Sequence, residues 1–269
     1  MEREPESRKD RHEHATEGSG ADLPSIESRQ ILSVRVDATS YSDATERIRV
    51  WAEAGESRYV CVCNVHMVME AYDDPDFAAI VNGADLVTPD GMPLVWALRK
   101  FGVTKASRVY GPELVPRLLE MAERTGLPVG FHGGTPEVLE ALTTEVSKRF
   151  PELRVVYACS PPFGPVTDRE GELEGIRRSG ARILFVALGC PKQERWMGER
   201  AGEVPGVMVG VGAAFDFLAG NKPQAPRFVQ AAGLEWAFRM ATEPRRLWRR
   251  YAVHNPRFVA LLARQLLRG

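Results

Sequence analysis

The sequence predicts an α/β protein: a mostly parallel, doubly wound sheet with helices on both faces, followed by a basic helical appendage. Three observations carry this. From Ile31 onward, short β-branched runs alternate with segments of helical periodicity. After Gly220 the strand signal stops and arginines accumulate. Residues 1–29, by contrast, carry almost no large apolar side chains, so burial cannot offset the entropy of ordering them. The expected organisation is a disordered leader over 1–29, a Rossmann-like α/β domain over 30–221 and a helical appendage over 222–269.

Taken in order, the runs ILSVRVD, RYVCVCN, ADLVTPD, LPVGFHGG, LRVVYACS, ARILFVALG and GVMVGVGAA look like buried parallel strands. Between them, amphipathic stretches at 43–54, 75–82, 91–100, 112–125, 136–149, 170–179 and 191–200 supply the helices. Beyond Gly220, prolines at Pro226, Pro244 and Pro256 punctuate what reads as three helices. Ligands of such sheets sit past the carboxyl ends of the strands. The informative residues are therefore Asn64, Asp90, His132 to Thr135, Gly189 to Glu194 and Gly212 to Asp216.

Bulk properties narrow the class. No apolar run approaches the roughly 20 residues that span a bilayer, and no apolar leader follows the first charges, so a cytosolic protein is expected. Cys61, Cys63, Cys159 and Cys190 form no CxxC pair and read as reduced, mostly buried thiols; His12 and His14 read as solvated. The formal net charge of -1 conceals a strong asymmetry: nine arginines face only Glu235 and Glu243 from Arg227 to the end. That end suits an anionic partner.

Several strand-end motifs could carry chemistry. In FHGGTPEV, Gly133 and Gly134 precede Thr135 as helix cap, Pro136 and Glu137, which suits either a ligand phosphate at a helix start or a plain βα turn. GVGAAF imitates a dinucleotide fingerprint, but Phe215 replaces the third glycine. A dinucleotide oxidoreductase is thus the alternative enzyme, and a nucleotide-binding membrane scaffold the non-catalytic one. In TPDGMP, Asp90 is either a helix cap or a general base accepting the proton of a sugar hydroxyl. Asn64 is either a cap or an amide for sugar hydroxyls, and His66 reads as a helix-face or core residue. In LGCPKQE, Gln193 offers an amide for sugar or phosphate oxygens. Asp74-Pro75-Asp76, the one Asp-x-Asp match, reads as a cap and first turn, so no metal is expected. Leaving-group charge then falls to backbone N–H groups and cations such as Arg108.

Together, TPDGMP, RVYGPEL, FHGGTPEV, LGCPKQE, VGVGAAFDFLAG and GLEWAFRMATEPRRLWRRY resemble the WecG/TagA/CpsF glycosyltransferases, family 26 in the sequence classification. The resemblance runs from about Ile31 to about Tyr251. It implies a Rossmann-like catalytic domain and inverting, metal-independent transfer without a cofactor. The sugar, an N-acetylmannosamine-type or related hexose, would pass from a UDP-sugar to an undecaprenyl-diphosphate-linked acceptor in cell-surface polysaccharide or teichoic-acid-type synthesis. By position it makes Asp90 the base and Arg108, Gln193 and Asn64 active-site residues. Gly133, Gly134 and Thr135, with Gly212, Phe215 and Asp216, become UDP-binding loops. Val62 stands where relatives commonly carry Thr, and Gln224 where they carry Arg, which leaves the donor sugar open.

In the appendage, helical projection places Arg245, Arg246, Arg249 and Arg250 on one half and Leu247, Trp248 and Tyr251 on the other, an interfacial pattern. The same pattern suits a charged face whose apolar side packs on the core or on a second subunit; a homo-oligomer is compatible with it, and no nucleic acid is expected. The family resemblance links such arginines to membrane association, so one or more of Arg239, Arg245, Arg246 and Arg249 is expected to contact lipid diphosphate or UDP at the inner face of the cytoplasmic membrane.

Overall fold

In the computed structural model, residues 23–162, 164, 168–226, 229 and 235–268 are described, except for the side chains of residues 235, 245–247, 249 and 250. Most of the expected leader therefore lies outside the described residues. Chain order opens with two short strands, β1 (Ser28–Ile31) and β2 (Val34–Asp37), that pair antiparallel. This corrects the reading of ILSVRVD as one parallel strand. Leu32 adopts a left-handed φ of 54°, the chain reverses, and Ile31, Val34 and Val36 are buried. The hairpin covers the outer edge of the main sheet, where the Asp37 carboxylate accepts the Val87 N–H at 2.7 Å. An edge donor is thereby satisfied.

The main sheet is parallel, in the order β4-β3-β8-β7-β5-β6. Its strands are β3 (Arg58–Cys63), β4 (Leu86–Pro89), β5 (Val129–Gly133), β6 (Val155–Cys159), β7 (Ile183–Ala187) and β8 (Val207–Gly210). Both faces of β3, β4, β5, β7 and β8 are largely buried, as continuous apolar runs demand, whereas the edge strand β6, expected to be buried, is partly exposed along its length. Along β3, Tyr59, Cys61 and Cys63 enter one core while Val60 and Val62 enter the other. Complete burial pushes the thiols of Cys61 and Cys63 well above the ordinary range, so they remain protonated packing groups.

One core takes residues from α2 (Val65–Asp73), α3 (Pro75–Asn82), α4 (Met92–Lys100), α7 (Arg169–Ser179) and α8 (Lys192–Glu199). The opposite core takes residues from α1 (Tyr41–Ala54), α5 (Gly111–Thr125), α6 (Pro136–Arg149) and α9 (Ala214–Leu218). Neighbouring strands β3 and β8 thus send their following helices to opposite faces, which opens a crevice at their carboxyl ends. Helix α2 is absent from the sequence reading, since Asp74-Pro75 follows it at once. There Asp74 accepts the Phe77 N–H at 3.0 Å and starts α3, as the cap reading requires.

After Gly220, α10 (Glu235–Thr242) and α11 (Pro244–Leu266) follow. Pro256 does not divide helices; it lies inside α11. The proline is exposed, so the carbonyl that loses its partner can be hydrated. The later half of α11 joins the catalytic domain. Phe258 is only 1% exposed and belongs to the core shared with β3, and Gln265 bridges the Leu32 N–H and the Gln30 carbonyl, both at 2.9 Å. Among the described residues, no helix is long and apolar enough to cross a membrane.

Candidate active site

The crevice is a cleft of two adjoining chambers. Asn64, Asp90, Tyr110 and Arg239 line both. The first chamber, about 270 Å³, is walled by the strand-end turns at Gly189–Cys190 and Gly210–Ala214 and by Gln193. The second opens between the sheet and the C-terminal helices, where Trp236, Tyr251 and His254 face Met92 and Arg108. One chamber is rich in glycine main chain, the other in aromatic side chains.

Asp90 ends β4 and its N–H donates to the Cys63 carbonyl at 2.7 Å, which ties it to the end of β3. Gly91, with φ of 126°, takes the cap position of α4, a conformation a side chain would strain. The carboxylate is thereby carried to the wall between the chambers. Arg108 is held beside it because the next residue, Val109, donates to the Pro89 carbonyl at 3.0 Å. The guanidinium lies 3.7 Å from the Asp90 carboxylate and stacks 4.1 Å over Tyr110. Tyr110 is a wall residue that the sequence reading passed over, although it sits inside the RVYG motif.

Asn64 fills its cap reading. Its side-chain oxygen caps α2, accepting the N–H groups of His66 at 3.1 Å and Met67 at 3.3 Å, and the residue also lines both chambers. Gln193 is 4% exposed; its amide donates to Glu194 at 2.6 Å and accepts the Gly212 N–H at 3.1 Å. It acts as a bolt that fixes the turn after β8, with an edge on the first chamber.

Other expected site residues fall elsewhere. Gly133, Gly134 and Thr135 line neither chamber. A Cβ on Gly133 would stand 2.6 Å from the Ala187 carbonyl oxygen, so strand packing already demands glycine there. Thr135 caps α6 through the Val138 N–H. The Phe215 ring is 1% exposed and packs edge-on against Phe131 at 5.6 Å, which leaves a ligand only its main chain. Asp216 pairs with Lys222 at 3.4 Å, and Lys222 in turn reaches Glu243 at 3.3 Å, joining the turn to the start of α11. Arg239, projecting from α10, does enter the cleft and lies 5.7 Å over Phe217. Arg245, Arg246 and Arg249 lie in the first turns of α11, but their side chains are outside the described residues.

Sequence reasoning also missed a cluster. His66 and Glu70 on α2 meet His254 of α11 at the second chamber. The i, i+4 spacing of His66 and Glu70 was a legible signal; the third member, 184 residues beyond Glu70 in sequence, was not.

The sequence model of the WecG/TagA/CpsF glycosyl transferase family matches residues 29–269. The chain belongs to that family. As a WecG/TagA/CpsF glycosyltransferase it transfers a sugar from a donor to an acceptor in cell-surface polysaccharide synthesis. The oxidoreductase alternative falls with this assignment, in keeping with the buried phenyl ring where a dinucleotide fingerprint needs its third glycine.

Proposed function

We propose that the chain is an inverting, metal-independent glycosyltransferase that moves a hexose from a UDP-sugar to an undecaprenyl-diphosphate-linked sugar. One observation supports this above the others: a single carboxylate, Asp90, stands on the wall common to two chambers of different character. The glycine-lined chamber suits a nucleotide diphosphate, whose oxygens main-chain N–H groups can meet. The aromatic chamber suits the acceptor sugar, since sugar faces stack on rings such as Trp236 and Tyr251.

In this reading the acceptor hydroxyl gives its proton to Asp90 as its oxygen attacks the anomeric carbon, and the bond to UDP breaks on the opposite side. A general base of this kind contributes about 100- to 10,000-fold in rate. Arg239 supplies positive charge that the departing diphosphate needs, while Arg108 stands beside Asp90 on the acceptor side. Arg239 reaches both chambers, so it senses both substrates.

The approach of a lipid-linked acceptor fits peripheral attachment to the inner face of the cytoplasmic membrane. Trp236 and Trp248 are 47% and 54% exposed on α10 and α11, and Trp248 falls within the arginine-rich stretch RRLWRR of the sequence. Exposed indole rings in a basic stretch of sequence are an interfacial combination.

The Asp90→Asn variant tests the reading. Transfer to a lipid-diphosphate-sugar acceptor, followed by mass spectrometry of the product, should fall by at least 100-fold, while UDP affinity measured by calorimetry stays near the parent value. Transfer at the parent rate would remove Asp90 from the chemistry.

A further inference from the structure

We propose that His66, Glu70 and His254 form a binding site for a divalent cation of the zinc class, which clasps the C-terminal helix to the catalytic sheet. The proposal stands apart from sugar transfer: the ion holds, and the transfer step described above makes no use of it.

The donors come from two elements. His66 and Glu70 stand one turn apart on α2 and share a face. His254 arrives from α11. His66 Nδ1 is 3.5 Å from Glu70 Oε1, His254 Nε2 is 4.0 Å from the same oxygen, and one ligand atom of each residue lies within 4.8 Å of the others. Around a tetrahedral zinc ion with bonds of about 2.0–2.2 Å, donors stand about 3.3–3.6 Å apart. The α2 pair already has that spacing, and His254 must close from 4.0 Å on Glu70 and from no more than 4.8 Å on His66.

The chemistry of the set favours a transition metal. Two imidazoles with one carboxylate are borderline donors, which suit zinc better than magnesium or calcium. Glu70 forms its ion pairs with these two imidazoles alone among the described residues, since the neighbouring Arg257 is taken by Asp73 through two bonds of 2.5 Å. Both imidazoles line the aromatic chamber, from which water can supply a fourth ligand.

The consequence concerns the cleft. Arg257 and Gln265 secure the later part of α11, but His254 lies nearest the chamber wall that Tyr251 and Asn255 help build. An ion at His254 would fix that wall against α2.

The test uses the full-length, untagged chain stripped with chelator and titrated with Co²⁺ at neutral pH. One equivalent should bind with the visible absorption bands of low-coordinate Co²⁺, Zn²⁺ should displace it, and Zn²⁺ should raise Tm. His66→Gln and His254→Gln should each weaken Zn²⁺ binding on the order of 100-fold or more. Metal-free variants should match the parent in circular dichroism; if one histidine variant does not fold, Glu70→Gln provides the same readout. No binding at micromolar Zn²⁺ would overturn the proposal. So would binding unchanged in both histidine variants, which would move the site to the leader histidines or the cysteines.

Discussion

The turn after β5 and the turn after β8 both place glycines between a strand and a helix, and both suggest a phosphate cradle when read as sequence. Their surroundings differ. The β8 turn lies at the junction with β3, where the following helices diverge to opposite faces, and its main chain lines the glycine-rich chamber. The β5 turn sits two strands further along the sheet, with its first glycine pressed against β7 and its threonine used as a cap. A glycine required by a close neighbour and one required by a ligand carry the same letter. What separates them is where the sheet changes winding direction. Changes near β5 should therefore appear in stability, and changes near β8 in donor binding.

His132, on β5, should give the largest stability effect. Its ring is fully buried, stacked 4.4 Å from Trp196, and neither ring nitrogen has a hydrogen-bond partner. Burial, reinforced by the Arg200 guanidinium that already claims Glu172 at 2.5 Å, pushes its pKa down to about 4. The unfolded imidazole titrates near 6.5, so between these values the unfolded chain binds a proton that the folded chain refuses. Stability must fall as pH drops through that window, by about 2 kcal/mol between pH 7 and pH 5 and about 3 kcal/mol by pH 4. Urea unfolding of the parent and of His132→Phe should show this slope in the parent and a flatter one in the variant. Equal slopes would mean that His132 is not the group responsible.

The sheet strands and most flanking helices were legible because hydrophobic periodicity is a local signal. The place of Asp90 on the cleft wall was legible for a related reason: a carboxylate between a strand and a glycine is a local pattern at the carboxyl edge of the sheet. What could not be read was anything set by folding back. The hairpin at Leu32 depends on one left-handed residue inside an apolar run. The burial of Phe215 depends on Phe131, which lies 84 positions earlier. The second chamber depends on α10 and α11 returning over β3 and β4, so Trp236, Tyr251 and His254 gave no sign of facing Asp90. Gln193 was read from its strand-end position, and its bracing bond to Gly212 gave no sign in the sequence.

Gln193→Ala sharpens the comparison at the β8 end. Removing the amide frees the Gly212 N–H, which borders a chamber where water can replace the lost bond, and also takes a donor from the fully buried Glu194 carboxylate, so a stability cost of about 1–3 kcal/mol accompanies the change. Positioning is what disappears. Because a displacement of about 1 Å at a reacting group can cost about 100-fold, kcat/KM for the donor should fall between 10- and 100-fold. A large drop in Tm with unchanged donor kinetics would show that the bolt serves the core instead of the turn.

Thr135→Ala is the smallest change and separates the two turns most cleanly. Thr135 caps α6 by accepting the Val138 N–H at 3.4 Å, and its hydroxyl also holds the Glu137 carboxyl below the usual carboxylate range. Loss of such a cap costs about 1 kcal/mol of stability. If the turn after β5 only joins a strand to a helix, the variant should unfold at lower denaturant while its KM for the donor stays within about twofold of the parent, since the cap contributes to no ligand contact. If donor KM instead rises several-fold with stability barely altered, the N-terminus of α6 is holding diphosphate oxygens. The donor would then extend from β8 across β7 to β5, and the boundary drawn between the two turns would have to be abandoned.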